Sequence, residues 1–322
     1  MHLLEAAEAL MLRLVAGPHL DHCGAMAVQH LSTGGKRLRA SLAIQATLAL
    51  GGREEDAVSW AAACELLHNA SLVHDDLQDG DRMRRGMPTT WAVFGPMQAI
   101  NAGDLMLVLP PLALEHMVAA PAVRWELSRA LSRSAADTVR GQAHEMTLLK
   151  SHRLRWMDYL RAAEGKTAAF FALPVQGAAL LTGRDQPEAL GAAFAPIGTL
   201  FQLQDDLLDL TDAKGHDARG SDLREGKVSA LVVEHLALHP EDRPWLLSVL
   251  ETPRAETRDD QVEEAIARFH HGGAVASLRA RIQAIAAQVR RDPALLAEPA
   301  LHALALTTLD ALLARSTGGP KA

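Results

Sequence analysis

Long alanine- and leucine-rich stretches, broken only by short glycine/proline punctuation, constrain this chain most. Asp56 to His74, Ala122 to Lys150 and Glu188 to Leu210 each run far beyond the length of a strand. Gly51-Gly52, Gly86 to Pro88, Gly95-Pro96, Gly183 to Pro187 and Lys214 to Ser221 separate such stretches. No segment alternates apolar and polar residues as a half-buried strand does, and no repeat or low-complexity block occurs. The pattern predicts an all-α helical bundle of ten or more helices. Thr252 to Asp260 is the most charged break, yet helical sequence follows it, so residues 1–322 read as a single domain. The last residues, 316–322, read as a frayed tail.

Composition supports the helical reading and narrows the class. Hydrophobic residues make up 48%, charged residues 22% and aromatics 4% of the chain. Alanine and leucine lose little on entering a helix. A formal net charge of −7 argues against a nucleic-acid surface. Any phosphate-binding role then requires basic residues gathered locally. Cys23 and Cys64 lack metal-type spacing and fit a reducing, cytoplasmic location. Met1 to Gly17 carries Glu5 and Glu8 and no basic start, which is unlike a secretion signal. No uninterrupted apolar run reaches the ~18 residues of a membrane span, so stable membrane insertion is not expected.

Two acidic clusters follow apolar helical segments: Leu72-Val-His-Asp-Asp-Leu-Gln-Asp79 and Phe201-Gln-Leu-Gln-Asp-Asp-Leu-Leu-Asp209. On a helix Asp75 and Asp79 share a face, with Asp76 beside them; Asp205, Asp209 and Asp206 repeat the arrangement. Like charges four apart repel, so a cation is expected among them. Hard carboxylate oxygens in this number suit Mg2+. A bundle can bring two such helix ends to one cavity. A single cluster could equally be a solvated helix end; two copies at the same helical position argue against that.

Basic residues accompany the acids. Arg82-Met-Arg-Arg-Gly-Met-Pro-Thr89 places Arg84 and Arg85 beside the first cluster, and arginine grips phosphate as a planar fork. Gly34-Gly-Lys-Arg-Leu-Arg39 combines close backbone approach with Lys36 and Arg39, though alone it reads equally well as a basic turn. His68 lies two helical turns before Asp75. Lys166-Thr167 and Lys227 gain meaning only in this company.

Together these residues resemble the trans-isoprenyl diphosphate synthase, or polyprenyl synthetase, family. The matching pieces are GGKRLR, LVHDDLQDGDRMRRGMPT, GKT, FQLQDDLLD and GSDLREGK, in the family's order from Gly34 to Lys227. The resemblance implies the all-α isoprenoid synthase fold, a homodimer and three Mg2+ ions. It implies that Asp75 and Asp79 ligate two of the ions, with Asp76 in support, and that Asp205 leads the other site with Asp206 and Asp209 nearby. Arg84, Lys166, Gln202 and Lys227 would contact an allylic diphosphate. Lys36, Arg39, His68 and Arg85 would contact isopentenyl diphosphate, and Thr167 and Gln202 would steady the developing carbocation. Three departures stand out. Asp217, with Arg219 nearby, occupies the place of a family lysine. Gly141-Gln-Ala-His-Glu145 replaces Gly-Gln-x-x-Asp. Met87 follows Arg-Arg-Gly, where a basic residue is common.

Residues one turn before Asp75 would act as the floor under the growing chain. They are Ala70 and Ser71, where family members that stop at farnesyl often carry an aromatic. Leu67 and Cys64 are the next candidates, with help from a facing helix around Asp104 to Val108. The expected product is geranylgeranyl diphosphate, with farnesyl or longer chains as neighbours. A class I terpene cyclase would pair one aspartate motif with an Asn/Ser/Glu motif. Squalene and phytoene synthases lack the GGKRLR and RRG context. A non-catalytic partner subunit would have lost one metal motif, whereas both are intact here.

Overall fold

A computed structural model describes residues 2–150, 154–211 and 219–315. Eighteen α-helical segments account for nearly all regular structure among these residues. In chain order they are α1 (His2–Ala16), α2 (His22–Ser32), α3 (Leu38–Ala49), α4 (Glu54–Asp79), α5 (Thr90–Phe94), α6 (Pro96–Val108), α7 (Pro110–Ala113), α8 (Pro121–Leu148) and α9 (Trp156–Ala163). They continue with α10 (Ala169–Leu181), α11 (Pro187–Leu208), α12 (Ser221–Arg224), α13 (Ala230–Leu238), α14 (Arg243–Leu250), α15 (Asp259–His271), α16 (Ala274–Arg290), α17 (Pro293–Leu296) and α18 (Pro299–Arg315). The chain groups into two compact units. The first comprises Met1–Ala136, Phe170–Phe194 and Ala297–Leu304; the second comprises Asp137–Ala169, Ala195–Leu296 and Ala305–Ala322.

The first unit is organised around α4, which packs against α1, α3, α6 and α7. Glu54, Glu55 and Asp56 occupy its first turn, where they meet the positive end of the helix dipole. Gly80, in the left-handed region at φ 73°, ends it by donating its N–H to the Asp76 carbonyl. Ala57, Ala61, Ala62, Ala63 and Ala70 are fully buried, so neighbouring helices approach α4 closely. Trp60 is fully buried and donates its indole N–H to the Pro174 carbonyl at 2.9 Å. Gly177 makes room for that ring, since a Cβ there would lie 2.0 Å from Trp60 Cε2.

One element departs from the sequence expectation of no strands. Met83–Arg84 (β1) pairs antiparallel with Met87–Pro88 (β2). Arg85 and Gly86 form the connecting turn with φ of 53° and 77°, the positive values a two-residue hairpin turn needs. Two-residue strands are too short to show alternation, which is why the pattern is silent here.

The second unit contains α9, α12 to α17 and the adjoining parts of α8, α11 and α18. Its α13 packs against α9, α15 and α16. Glu234 of α13 is buried and accepts from Arg281 at 2.6 Å and from the Ser277 hydroxyl at 2.5 Å. Arg281 also stacks over Trp156, 4.0 Å from the ring centre. Residues Glu164–Ala168 form a π-helical turn between α9 and α10. The stretch Pro96–His116 is long and apolar enough to cross a membrane by length and composition, with mean hydropathy 1.3 and 44% of its apolar window buried. Gln98, Asn101 and Asp104 interrupt it, and Pro110 begins a separate helix.

Candidate active site

In the first unit the acidic end of α4 and the basic hairpin meet. Asp75 and Asp79 are half-buried, whereas Asp76 is buried. Arg84 donates to Asp76 Oδ1 through Nε at 2.7 Å and a terminal nitrogen at 2.6 Å. Asp76 Oδ2 is buried without a hydrogen-bond partner. Burial pushes the Asp76 carboxyl up to about 6, against the pull of Arg84. Half-exposed carboxylates flanking a buried one with an unclaimed oxygen form a hard-oxygen donor set that fits Mg2+.

The hairpin sends its adjacent arginines to different partners. Arg84 turns to Asp76, and Arg85 donates to the Gly34 carbonyl. Gly35 accommodates that contact, because a Cβ there would fall 2.3 Å from an Arg85 guanidinium nitrogen. Arg39, at the start of α3, is buried and lies over the Phe171 ring at 5.1 Å. Burial lowers its guanidinium to about 10, while Glu65 opposes the shift. His68 packs edge-on against Phe170 with ring centres 5.2 Å apart. Burial, with Arg39, Arg84 and Arg85 nearby, holds its imidazole well below the usual range, so it is neutral. Lys36 is exposed. The structure thus gathers Arg39, His68, Arg84 and Arg85 around α3, α4 and the hairpin.

The small residues Ala70 and Ser71 lie one turn before Asp75 on α4. Ala70 is fully buried, and Ser71 turns its hydroxyl back to the His68 carbonyl at 2.7 Å. Leu67 and Cys64 are buried one and two turns earlier. His74 of α4 packs so closely on the neighbouring α6 that a Cβ on Gly103 would lie 2.2 Å from its Nε2. His74 Nε2 also lies 3.3 Å from Asp104 Oδ1.

The second unit holds the other acidic cluster with its own supports. Asp205 is half-buried, as Asp75 is, and Asp206 is buried, as Asp76 is. Asp206 accepts from the Tyr159 hydroxyl at 2.8 Å, the Gln202 amide at 2.9 Å and the Ala230 N–H at 2.7 Å. Burial and Asp206 push the Tyr159 phenol well up, so it stays protonated as a donor. Asp209 is buried and accepts from the Ser221 hydroxyl at 2.5 Å and the Asp222 N–H at 3.1 Å. The Thr167 hydroxyl donates to the Gln202 amide oxygen at 2.9 Å. Lys166 sits in the π turn and reaches Glu145 at 2.6 Å. Glycine at both 141 and 165 permits this: a Cβ on Gly165 would stand 2.8 Å from the Gly141 Cα. Glu145 is thus the carboxylate that faces Lys166. Lys227 pairs with Glu225 at 2.7 Å. Arg219 is committed to Glu263, at 2.6 Å from its Nε, and Asp217 lies outside the described residues. Met87 is exposed at the hairpin. The sequence reading missed Tyr159, which holds Asp206 and belongs to no charged motif.

Residues 21–269 match the polyprenyl synthetase family. The chain belongs to that family. A short chain isoprenyl diphosphate synthase of Methanothermobacter thermautotrophicus is 35% identical over 254 residues, covering 77% of each chain. A geranylgeranyl diphosphate synthase of Mycobacterium tuberculosis is 35% identical over 301 residues, 89% of this chain and 84% of that one. The crystal structure of a polyprenyl synthetase from Streptomyces coelicolor A3(2) superposes with a TM-score of 0.84 at 26% identity, covering 97% of this chain and 98% of that one. This polyprenyl synthetase is therefore a trans-prenyltransferase with the all-α isoprenoid synthase fold, in a family that depends on Mg2+ and uses isoprenyl diphosphates.

Proposed function

We propose that this polyprenyl synthetase adds isopentenyl diphosphate head to tail onto allylic diphosphates and stops at geranylgeranyl diphosphate. The observation carrying the product length is the turn before Asp75. Ala70 ends at its Cβ, and the Ser71 hydroxyl folds back onto its own helix. Neither provides bulk, and one helical turn advances about 5.4 Å, close to one isoprene unit. Leu67, a turn further back, is the first side chain large enough to act as a floor.

Asp75 and Asp79 in one unit and Asp205 in the other would hold Mg2+, three ions in all. Asp76, Asp206 and Asp209 would support these residues from their buried hydrogen bonds. When bound, Mg2+ neutralises the departing diphosphate so that the allylic C–O bond can ionise. Arg84, Lys166, Gln202 and Lys227 would hold the allylic diphosphate. Lys36, Arg39, His68 and Arg85 would hold isopentenyl diphosphate, whose double bond attacks the allylic cation. The hydroxyl oxygen of Thr167 and the amide oxygen of Gln202 would present dipoles to that cation. A proton then leaves to the released diphosphate. No side-chain nucleophile is required, and the protein contributes position, charge and exclusion of water. The enzyme would act in the cytoplasm as a homodimer. The exposed Met97, Ile100 and Val108 on α6 support a second copy as their cover.

Mass spectrometry of products made from isopentenyl diphosphate and dimethylallyl, geranyl or farnesyl diphosphate tests this reading. All three primers should converge on a geranylgeranyl product. Accumulation of farnesyl diphosphate, or of chains beyond geranylgeranyl, would overturn the assigned floor.

A further inference from the structure

The chain's single tyrosine sits beside the second acidic cluster. Tyr159 of α9 is 5% exposed and Asp206 of α11 3%. The Tyr159 hydroxyl donates to Asp206 Oδ2 at 2.8 Å, and the Ala230 N–H at the start of α13 donates to the same oxygen at 2.7 Å. The other oxygen, Oδ1, accepts from the Gln202 amide nitrogen at 2.9 Å. Gln202 lies one turn earlier on α11, on the same face as Asp206. Its amide oxygen in turn accepts the Thr167 hydroxyl at 2.9 Å. All of these residues belong to the second unit.

These bonds allow the Gln202 amide one orientation. An amide presents an acceptor at one end and donors at the other. The Thr167 hydroxyl can rotate to suit either end, so it does not choose between them. Asp206 does choose, because a carboxylate only accepts. Turned over, the amide would set its oxygen against Asp206 Oδ1, acceptor against acceptor. Asp206 keeps Oδ1 on Gln202 only while its carboxylate is held from turning about the Cβ–Cγ bond. Tyr159 and the Ala230 N–H hold it by Oδ2. The Ala230 N–H is a helix-start donor of a kind that needs an outside acceptor. The Tyr159 hydroxyl is a side-chain donor brought there by α9, which runs directly into the π turn carrying Thr167.

We propose that Tyr159 is a positioning residue for the ionisation step: by fixing the Asp206 carboxylate it fixes the direction of the Gln202 amide, and so presents the Gln202 amide oxygen, beside the Thr167 hydroxyl, to the allylic cation. This rests on the assignment of Thr167 and Gln202 to that cation made above. An inverted amide would turn the positive end of its dipole toward the developing charge and oppose ionisation. Tyr159 acts through Asp206 and adds no charge of its own to the site.

Steady-state kinetics on the full-length protein, together with fluorine NMR of fluorotyrosine-labelled protein, tests it. Tyr159→Phe keeps the ring and removes only the donor. It should lower kcat about tenfold and leave the KM for isopentenyl diphosphate within about twofold. The assigned contacts of that substrate, Lys36, Arg39, His68 and Arg85, all lie in the first unit. In a Gln202→Leu background the same substitution should change kcat by less than about twofold, because the amide that Tyr159 directs is gone. A tyrosine that merely fills space would cost the same factor in both backgrounds. That result, or wild-type kcat in Tyr159→Phe, overturns the proposal. The label gives one resonance, since the chain has one tyrosine. Gln202→Leu should shift it, because the carboxylate that receives the hydroxyl loses its other tether. An unmoved resonance overturns the link even if Tyr159→Phe fails to fold. A shifted resonance in a protein that does not condense its substrates would sink the synthase reading and leave the Tyr159–Asp206–Gln202 link standing.

Discussion

Asp75→Asn and Asp205→Asn are each expected to lower turnover by about a thousandfold or more, roughly 4 kcal/mol at the transition state. Both carboxylates are half-buried at the ends of their helices. Each can therefore give oxygen to a hard cation without leaving water altogether. An amide keeps the shape and loses the charge, so Mg2+ affinity and charge neutralisation of the leaving diphosphate fall together. Melting temperatures should barely move, because neither residue is buried in the core. The neighbouring positions differ in kind. Asp206 holds three donors from α9, α11 and the start of α13 within its own unit, so its replacement disturbs packing as well as chemistry. Steady-state turnover across a Mg2+ titration, with circular dichroism as the folding control, checks the pair. Near-normal turnover by either variant would remove that aspartate from the metal-holding set.

Ser71→Phe is expected to move the main product from geranylgeranyl to farnesyl diphosphate, reducing the geranylgeranyl share at least about tenfold. Phenylalanine extends about one isoprene unit beyond Cβ, and position 71 precedes Asp75 by about one turn. Ser71 is only partly buried, so the ring can be added at a cost of about 1–2 kcal/mol, short of unfolding. Ala70, fully buried among the core residues of α4, would tolerate the same ring far less well. Chain-length analysis by mass spectrometry reads the outcome. An unchanged product would place the floor on another helix.

The parts legible in the sequence were those whose signal is long or charged. Helix α4 was readable because its alanines and leucines keep a helical period up to the acids and a terminating glycine. The aspartates, Arg84 and Arg85 stand out as charges clustered in short motifs, and Lys166 gains meaning only in their company. Other features left no such trace. The β1–β2 hairpin is too short to alternate, yet it sends Arg84 to Asp76 and Arg85 to Gly34. The π turn at Glu164–Ala168 depends on Gly141 and Gly165 meeting from distant positions, which no local pattern encodes. Tyr159, Glu65 and Asn69 make buried hydrogen bonds, and a polar residue on an apolar helix face gives no sign of its partner. Glu145 read as a departure from the family pattern, but its longer side chain reaches Lys166 at 2.6 Å.

Release of inorganic diphosphate tests the central claim most directly. Purified protein with Mg2+ is given an allylic diphosphate alone, isopentenyl diphosphate alone, or both. A head-to-tail synthase should release diphosphate at a sustained rate only when both are present, and chelation of Mg2+ should abolish it. Equal release from the allylic diphosphate alone would contradict the account and indicate cyclisation or hydrolysis instead. No release from the pair would contradict it as well and indicate a non-catalytic subunit.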